Sequence, residues 1–260
     1  MPFLIDKRLV RERFRRSLKS YARHAVVQNA MAAGLSDMVC REHPGRLFER
    51  VLEVGSGTGA LTAEMLKRSR VKLYYANDIV EESRPFLDDV IGNFPGTELR
   101  FFAGDIESCA ALPSELDCVV SNATLQWLQD LDGLFNRISR CIRPGGLLAF
   151  SSFGPSNMRE IANIENVGLA YRSLEELERL AGRYFELVES REEEIVLEFS
   201  TPELALRHIR ETGVNGITRR LWTKSRYMNF LESYRQRFAS GSGVSLTYHP
   251  VYCCLKKKMS

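Results

Sequence analysis

A glycine-rich turn at residues 55–59 is the stretch of this sequence whose residue types and spacing best suit ligand chemistry. Its sequence is Gly-Ser-Gly-Thr-Gly, and it lies between an apolar run, RVLEVG, and a helix-like stretch, ALTAEMLKRS. Glycine has no side chain, so the backbone can approach a ligand closely, and a helix start offers free N–H groups. The turn therefore predicts a nucleotide-binding site, although its spacing also loosely fits a dinucleotide fingerprint.

Polar residues also follow the next apolar runs along the chain. Asp78 ends the second predicted strand, and a carboxylate at that position suits two ribose hydroxyls. Residues 104–106 (GDI) follow the third strand, and residues 121–127 (SNATLQW) follow the fourth. Ligands of open α/β sheets bind at the carboxyl edge of the strands, so we expect these residues to meet in one site.

Strands alternate with helices between residues 45 and 155, which predicts a parallel sheet covered on both faces. Before this core, apolar residues near a 3.6-residue period predict a helix over 6–30, and a second helix follows over 31–42. After it, we expect an extended stretch at 185–199, helices over 201–213 and 214–240, and a final strand over 245–258.

The composition is that of an ordinary globular protein of 260 residues, with 44% hydrophobic and 27% charged residues. No stretch approaches the roughly 18 apolar residues of a membrane span. The start lacks a signal-peptide core, although its arginines leave a transit peptide as an alternative. The six cysteines form no CxxC pair and have no histidine at ligand spacing, so we expect no metal and reduced thiols in the cytoplasm.

The formal net charge of +3 conceals an uneven distribution along the chain. Residues 1–30 carry eight basic and two acidic residues, whereas residues 31–200 carry 17 basic and 28 acidic ones. Residues 201–238 are basic again, with eight basic and three acidic residues. Two basic segments that flank an acidic middle bear on the partners of the protein rather than on its fold.

With the glycine turn, Asp78, GDI, SNATLQW and RPGG in this order, the chain resembles the class I S-adenosylmethionine (SAM)-dependent methyltransferases. The resemblance implies a Rossmann-like α/β fold with a seven-stranded sheet, mostly parallel with an antiparallel last strand, and helical lid elements. It implies SAM as the methyl donor. The cofactor-binding residues that it implies are Glu53, Gly55, Ser56, Gly57 and Gly59 for the methionyl part, Asp78 and Ile79 for the ribose and the adenine edge, Asp105 and Ile106 for the adenine, and Asn122 near the methyl group.

Longer stretches narrow the resemblance. The stretches DKRLVRERFRRSLKSYARHAVVQ, LEVGSGTGALT, SNATLQWLQDL and LLAFSSFGPSNMREI are similar to those of the malonyl-[acyl-carrier protein] O-methyltransferases of biotin synthesis. This family implies methyl transfer to the free carboxylate of a malonyl thioester, with an acidic acyl carrier protein as partner and neither nucleic acid nor membrane. A carboxylate is already ionised at pH 7 and needs no general base, so positioning dominates catalysis. The residues expected at the reacting groups are Tyr21, Gln28, Gln126 and Trp127.

The expected organisation is a single methyltransferase domain over 1–260. Within it we predict a helical lid at 1–42, a SAM-binding core at 45–155 and a basic helical insertion over the substrate site at 201–240. Four arginines of the insertion are predicted to dock the carrier: Arg207, Arg210, Arg219 and Arg220.

Four alternatives remain open at this point. The chain could methylate another small carboxylate or a quinone precursor, or a protein side chain as an assembly factor. A nucleic-acid-binding module is the alternative from another class, but the basic flanks lack its usual signatures. The glycines alone would also allow an NAD-dependent oxidoreductase, which the marks at 104–106 and 121–127 oppose.

Overall fold

The structure is a computed structural model that describes residues 5–45, 47–165, 169–212 and 223–258. In chain order, its helices and strands are α1 (Lys7–His24), α2 (Val26–Glu42), β1 (Leu47–Val54), α3 (Ala60–Arg68), β2 (Arg70–Asp78), α4 (Arg84–Ile91), β3 (Glu98–Ala103), β4 (Leu116–Ser121), α5 (Leu131–Cys141), β5 (Ile142–Phe153), α6 (Arg159–Glu165), α7 (Leu174–Ala181), β6 (Phe185–Glu192), β7 (Ile195–Phe199), α8 (Pro202–Glu211), α9 (Lys224–Arg237), β8 (Ala239–Ser240), β9 (Gly243–Tyr248) and β10 (Pro250–Lys257). Short 3-10 turns cover Glu81–Ser83, Ile106–Ser108 and Leu125–Trp127.

The main sheet contains seven strands in the order β3-β2-β1-β4-β5-β10-β6. The pairs among β1 to β5 are parallel, whereas β10 runs antiparallel to both of its neighbours, β5 and β6. The predicted seven-stranded, mostly parallel sheet with an antiparallel last strand is therefore confirmed. The strand order reverses between β1 and β4, and the crevice outside such a reversal is where doubly wound sheets bind ligands.

Helices cover both faces of the sheet, as its buried parallel strands require. On one face α2 packs against α3 and β5 through fully buried side chains such as Met31, Leu35 and Met38. On the other face α5 contributes Phe135, which stacks on Phe150 of β5 with ring centroids 5.4 Å apart. These two layers hold the strands in register, so the strand ends form a rigid edge.

The register of the strands brings the predicted polar residues to that edge. Val54 at the end of β1 lies opposite Asn77 of β2, and Asp78 lies opposite Ala103 of β3. Asp117, 5% exposed, fixes the opposite edge, where its carboxylate accepts the backbone N–H groups of Glu49 and Arg50. The carboxyl ends of β1, β2, β3 and β4 consequently lie side by side.

The amino-terminal region forms two helices whose boundary differs from the prediction. The helix expected over 6–30 ends at His24, and Ala25 leaves the helical conformation before α2 begins at Val26. The break lets α2 pack on the sheet while α1 runs in another direction and contacts α8. An amphipathic period continues through such a turn, so it did not reveal the break.

The carboxyl-terminal half contains a second, three-stranded antiparallel sheet in the order β7-β9-β8. The stretch expected to be extended at 185–199 is divided between β6 of the main sheet and β7 of this small sheet. The expected final strand is divided in the same way at His249, into β9 and β10. The small sheet supports α8, which packs on β7 and β9 beside α1.

Candidate active site beneath the first helix

A cavity with about 970 Å³ of atom-free space lies at the carboxyl edge of the sheet. Its floor consists of the ends of β1, β2 and β4 and the turns that follow them, and α1 forms its roof. That space includes solvent at the open mouth of the cavity. Its lining of apolar side chains with a few convergent polar groups is typical of small-molecule sites.

The glycine turn forms one wall of the cavity, and its backbone requires glycine. Gly55, Gly57 and Gly59 all have positive φ angles, of +75°, +52° and +81°. A Cβ atom on Gly55 would lie 2.1 Å from Oγ1 of Thr124, whereas one on Gly57 would meet nothing within 4 Å. Gly55 is therefore needed for close packing against the β4 turn, and Gly57 leaves its space for a ligand.

Asp78 joins the glycine turn to the end of β2. Its Oδ2 accepts the backbone N–H of Gly57 at 2.7 Å, and its Oδ1 accepts that of Val80 at 2.8 Å. The residue lines the cavity and is 8% exposed. Burial raises the pKa of its carboxyl, while the hydrogen bonds from Val80 and Gly57 oppose that rise. The second lone pair of each oxygen remains available for the two hydroxyls of a ribose.

Glu53 is a second carboxylate in the floor, and it is 1% exposed. Its Oε2 accepts both the hydroxyl of Thr62 and that of Tyr74, each at 2.6 Å. Within the described residues, no group donates to Oε1. Burial raises the pKa of Glu53 to about 7, against the lowering effect of the two hydroxyls. A cationic ligand group beside Oε1 would favour the ionised form.

Asp105 lies at the start of the 3-10 turn after β3, and it lines the opposite end of the cavity. Its Oδ1 accepts the N–H of Glu107 at 3.1 Å and lies 3.0 Å from Nζ of Lys7. Ile106 lies beside it in the lining and is 3% exposed. A carboxylate next to an apolar side chain suits the amino edge and the face of a purine.

The roof of the cavity is the inner face of α1. Lys7, Phe14 and Tyr21 recur at seven-residue intervals, so they lie on one face of the helix, and all three line the cavity. The ring of Phe14 meets that of Trp127 edge to face at 5.6 Å. Burial and the negative charge of Asp78 raise the pKa of Tyr21 well above its usual value. Its hydroxyl therefore stays protonated and can donate a hydrogen bond to a ligand.

Gln28 and Asn122 meet where α2 passes the end of β4. The side chain of Asn122 donates to the carbonyl oxygen of Gln28 at 3.0 Å, and Ser151 donates to Asn122 Oδ1 at 2.6 Å. Both Gln28 and Trp127 line the cavity, and Gln28 Nε2 and Trp127 Nε1 are buried without a hydrogen-bond partner. Two buried donors without acceptors are costly, so a ligand that supplies acceptors would relieve them.

Most of the residues predicted for the site line this one cavity, and the exceptions are clear. Nine of the ten predicted cofactor residues do so, together with Tyr21, Gln28 and Trp127; the tenth, Gly59, is not in the lining. Gln126 is not in the lining, because its amide donates to Ala123 O and accepts from Ser152. Arg207 and Arg210 are exposed on α8, and Arg219 and Arg220 lie outside the described residues.

Lys7 is the site residue that sequence reasoning missed. It is the only lysine or arginine among the described residues of the lining, and its partners are almost 100 positions away. The signal available in the sequence was its position seven residues before Phe14 and fourteen before Tyr21, on the same helical face.

The residues of the cavity fit SAM on their own chemistry. Asp78 offers acceptors for a diol, Asp105 offers one for an amino group, and Glu53 offers one for an ammonium group. The space beside Gly57 allows backbone contact with the rest of the ligand. These roles agree with the roles predicted from the sequence and stay predictions.

Comparison with known proteins gives the same assignment. A family model described as a methyltransferase domain matches residues 52–150. The malonyl-[acyl-carrier protein] O-methyltransferase of Chlorobium luteolum is 53% identical over 99% of this chain and 98% of its own length. That of Prosthecochloris aestuarii is 46% identical over 97% and 94%. The chain belongs to the malonyl-[acyl-carrier protein] O-methyltransferase family.

Solved structures support the fold of this methyltransferase family. A methyltransferase structure from Bacillus halodurans superposes with a TM-score of 0.64 at 16% identity, covering 88% of this chain and all of that one. Phosphoethanolamine N-methyltransferase 2 of Haemonchus contortus, solved with S-adenosylhomocysteine, superposes with a TM-score of 0.54 at 17% identity, covering 86% of this chain and 52% of that one.

The described residues contain no group of three or more His, Cys, Asp or Glu side chains arranged to hold a metal ion. They also contain no helix of the length and apolar character that a membrane crossing requires.

We expect Glu53→Gln to stabilise the ligand-free protein while weakening its binding of SAM. The pKa of Glu53 is raised from 4.5 to about 7, so the fold favours the protonated form. That contribution is complete below pH 4.5 and is lost as the pH rises through 7. At pH 8 the neutral glutamine should therefore raise the free energy of unfolding by roughly 1–3 kcal/mol, and at pH 4 by little.

Glu53→Gln should have the opposite effect on the binding of SAM. In the wild type, affinity for SAM should rise about tenfold from pH 6 to its plateau above pH 7, because an ammonium partner requires the ionised carboxylate. Glu53→Gln should bind more weakly at pH 8 and lose this dependence. Urea unfolding and calorimetry at several pH values measure both effects. Equal pH profiles for the two proteins would contradict the placement of an ammonium group at Glu53.

Proposed function

We propose that this protein transfers the methyl group of SAM to the free carboxylate of a malonyl group carried on an acyl carrier protein. The curated relatives with this name, at up to 53% identity over nearly the full chain, support the reaction. The observation that supports the acceptor is a set of three donors without protein acceptors in the described part of the chain. These donors are the hydroxyl of Tyr21, Nε2 of Gln28 and Nε1 of Trp127.

Three neutral donors suit a carboxylate. They can hold one oxygen of the acceptor by hydrogen bonds and leave the other oxygen free to face the methyl group. The raised pKa of Tyr21 keeps its hydroxyl in the donating form throughout the neutral range. Neutral donors also leave the negative charge on the attacking oxygen, whereas a cation bound there would reduce its nucleophilicity.

The surroundings of the reaction should be dry. SAM supplies a methyl group on a positively charged sulfur, and transfer to a carboxylate leaves two neutral products. Loss of two opposite charges is favoured where water is excluded. The apolar roof residues Phe14 and Leu18, with the ring of Trp127 beneath them, give the cavity an apolar surface that disfavours water beside the reacting groups.

The lining also agrees with a reaction that needs no base. Among the described residues that line the cavity there is no histidine. The raised pKa of Tyr21 argues against a tyrosinate at neutral pH. Glu53 and Asp78 are assigned to the cofactor. An acceptor that is already ionised makes such a base unnecessary, so positioning of the two reacting atoms accounts for most of the catalysis.

The acceptor is tested with matched thioesters. A malonyl thioester on the carrier should be methylated, and an acetyl thioester, which lacks the free carboxylate, should not. With SAM saturating, the rate should change less than about twofold from pH 6 to 8, because the acceptor is ionised throughout. Methyl transfer from labelled SAM measures both. Transfer to the acetyl thioester, or a tenfold rise in rate through pH 7, would contradict the proposed reaction.

The carrier would approach across α1 and α8. Arg207 and Arg210 are exposed on α8 and form no ion pair among the described residues. Arg8, Arg11 and Lys19 are likewise exposed on the outer face of α1. The two helices pack together, and the hydroxyl of Ser20 donates to the carbonyl of Glu211 at 3.1 Å. Charges left unpaired on adjoining helices beside the cavity are suited to an acidic protein partner.

Charge reversal tests this surface. Arg207→Glu together with Arg210→Glu should raise the KM for the malonyl carrier about tenfold at low salt and leave the affinity for SAM unchanged. Added salt should raise the wild-type KM in the same direction, since exposed charges are screened within about 10 Å. Arg140→Glu, an exposed residue of α5, is the matched control. An unchanged KM for the double variant would exclude α8 as the docking surface.

The proposed function also bears on the domain organisation and the cellular location of the protein. We infer one methyltransferase domain over 1–260, with a core at 45–155, a lid within 1–42 and a substrate-side segment at 201–240. We also infer that the protein acts in the cytoplasm, where its six free cysteines would stay reduced.

A further inference from the structure

Lys7 occupies a position in the cavity that the proposed reaction does not explain. Its side chain is only 19% exposed, and its Nζ lies 3.0 Å from Asp105 Oδ1 and 2.5 Å from Glu107 Oε2. Both partners are also largely covered, with side chains 23% and 16% exposed. An ion pair shielded to this extent holds its geometry better than one in open solvent.

The pairing leaves Asp105 with one free oxygen. Oδ1 takes both protein contacts, from Lys7 and from the N–H of Glu107. No described residue donates to Oδ2, although Asp105 lines the cavity. Fixing Oδ1 from two sides sets the plane of the carboxylate and thereby the direction in which Oδ2 can accept a hydrogen bond.

The ion pair between Lys7 and Glu107 also holds α1, the roof of the cavity, in place. Glu107 also accepts the backbone N–H groups of Gln129 and Asp130, so Lys7 ties the first turn of α1 to the loop after Trp127. Gln129 adds a bond of 3.0 Å from its side chain to the carbonyl of Ile5. The other end of α1 is held separately, by Ser20 and His24 against Glu211. Lys7 is thus the charged contact that closes the Asp105 end of the cavity.

We propose that Lys7 is a positioning residue for the cofactor, which aims Asp105 at the amino edge of the purine and pins the first turn of α1 over it. Without the ammonium group, Asp105 and Glu107 would be neighbouring carboxylates with no cation between them. Repulsion would turn Asp105 away from its direction and loosen the roof at this end. The proposal rests on the SAM site alone and is independent of the acceptor.

Cofactor binding and exchange provide the test. Lys7→Met should weaken the affinity for S-adenosylhomocysteine about tenfold in calorimetry and raise its dissociation rate by a similar factor in stopped-flow measurements. The KM for SAM should rise by the same factor, while kcat at saturating SAM stays within about threefold. Lys7→Arg, which keeps the charge, should restore binding to within about threefold of the wild type.

Two further variants separate positioning from a general effect on α1. Lys19→Met removes an exposed lysine from the outer face of the same helix. It should bind S-adenosylhomocysteine as the wild type does, because this measurement contains no carrier. In the double variant Lys7→Met/Asp105→Asn, the loss of affinity should be clearly smaller than the product of the two single losses, because Lys7 acts through Asp105. If Lys7→Met proved unstable, Lys7→Gln would serve in the same cycle.

Three results would overturn the proposal. They are affinity and dissociation rate unchanged in Lys7→Met, equal losses in Lys7→Met and Lys19→Met, and multiplicative losses in the double variant. None of these results would affect the proposed acceptor, since the binding measurements use no malonyl thioester.

Discussion

The two hydrogen bonds that Asp78 accepts from Gly57 and Val80 are the contacts on which the site depends. They fasten the glycine turn after β1 to the end of β2, so the two walls of the cavity keep one relative position. The backbone of the turn can take this path because its glycines adopt positive φ angles. This arrangement buries the carboxylate of Asp78, and burial raises its pKa. A ligand that offers hydroxyl donors would offset the free-energy cost of that burial.

The part of the site that was predictable from the sequence is the part encoded in short stretches. A glycine turn between a strand and a helix, an acid at the next strand end, and Asp105 after the third strand all lie in patterns a few residues long. A parallel sheet then brings those strand ends to one edge without any further information. The sheet, the family and the position of the glycine turn beside Asp78 could therefore be predicted from the sequence.

Contacts between residues far apart in the sequence could not be predicted in this way. Lys7 pairs with residues about 100 positions away, and no pattern in the neighbouring sequence indicates these partners. The amide of Gln126, expected at the reacting groups, is held by Ala123 and Ser152, and that choice depends on how the β4 turn packs on β5. The small β7-β9-β8 sheet arises because the chain turns at His249, within a stretch whose pattern continues through the turn.

The most direct test of the central claim is the affinity of Asp78→Asn for SAM, measured by calorimetry beside the exposed control Asp88→Asn. An asparagine oxygen can replace only one of the two carboxylate oxygens, so the variant loses charge-assisted hydrogen bonds of roughly 1.5–3 kcal/mol each. We expect binding to weaken at least about tenfold, since about 1.4 kcal/mol corresponds to that factor. The far-ultraviolet circular dichroism should stay that of the wild type. A folded Asp78→Asn protein with unchanged affinity would show that the cofactor lies elsewhere.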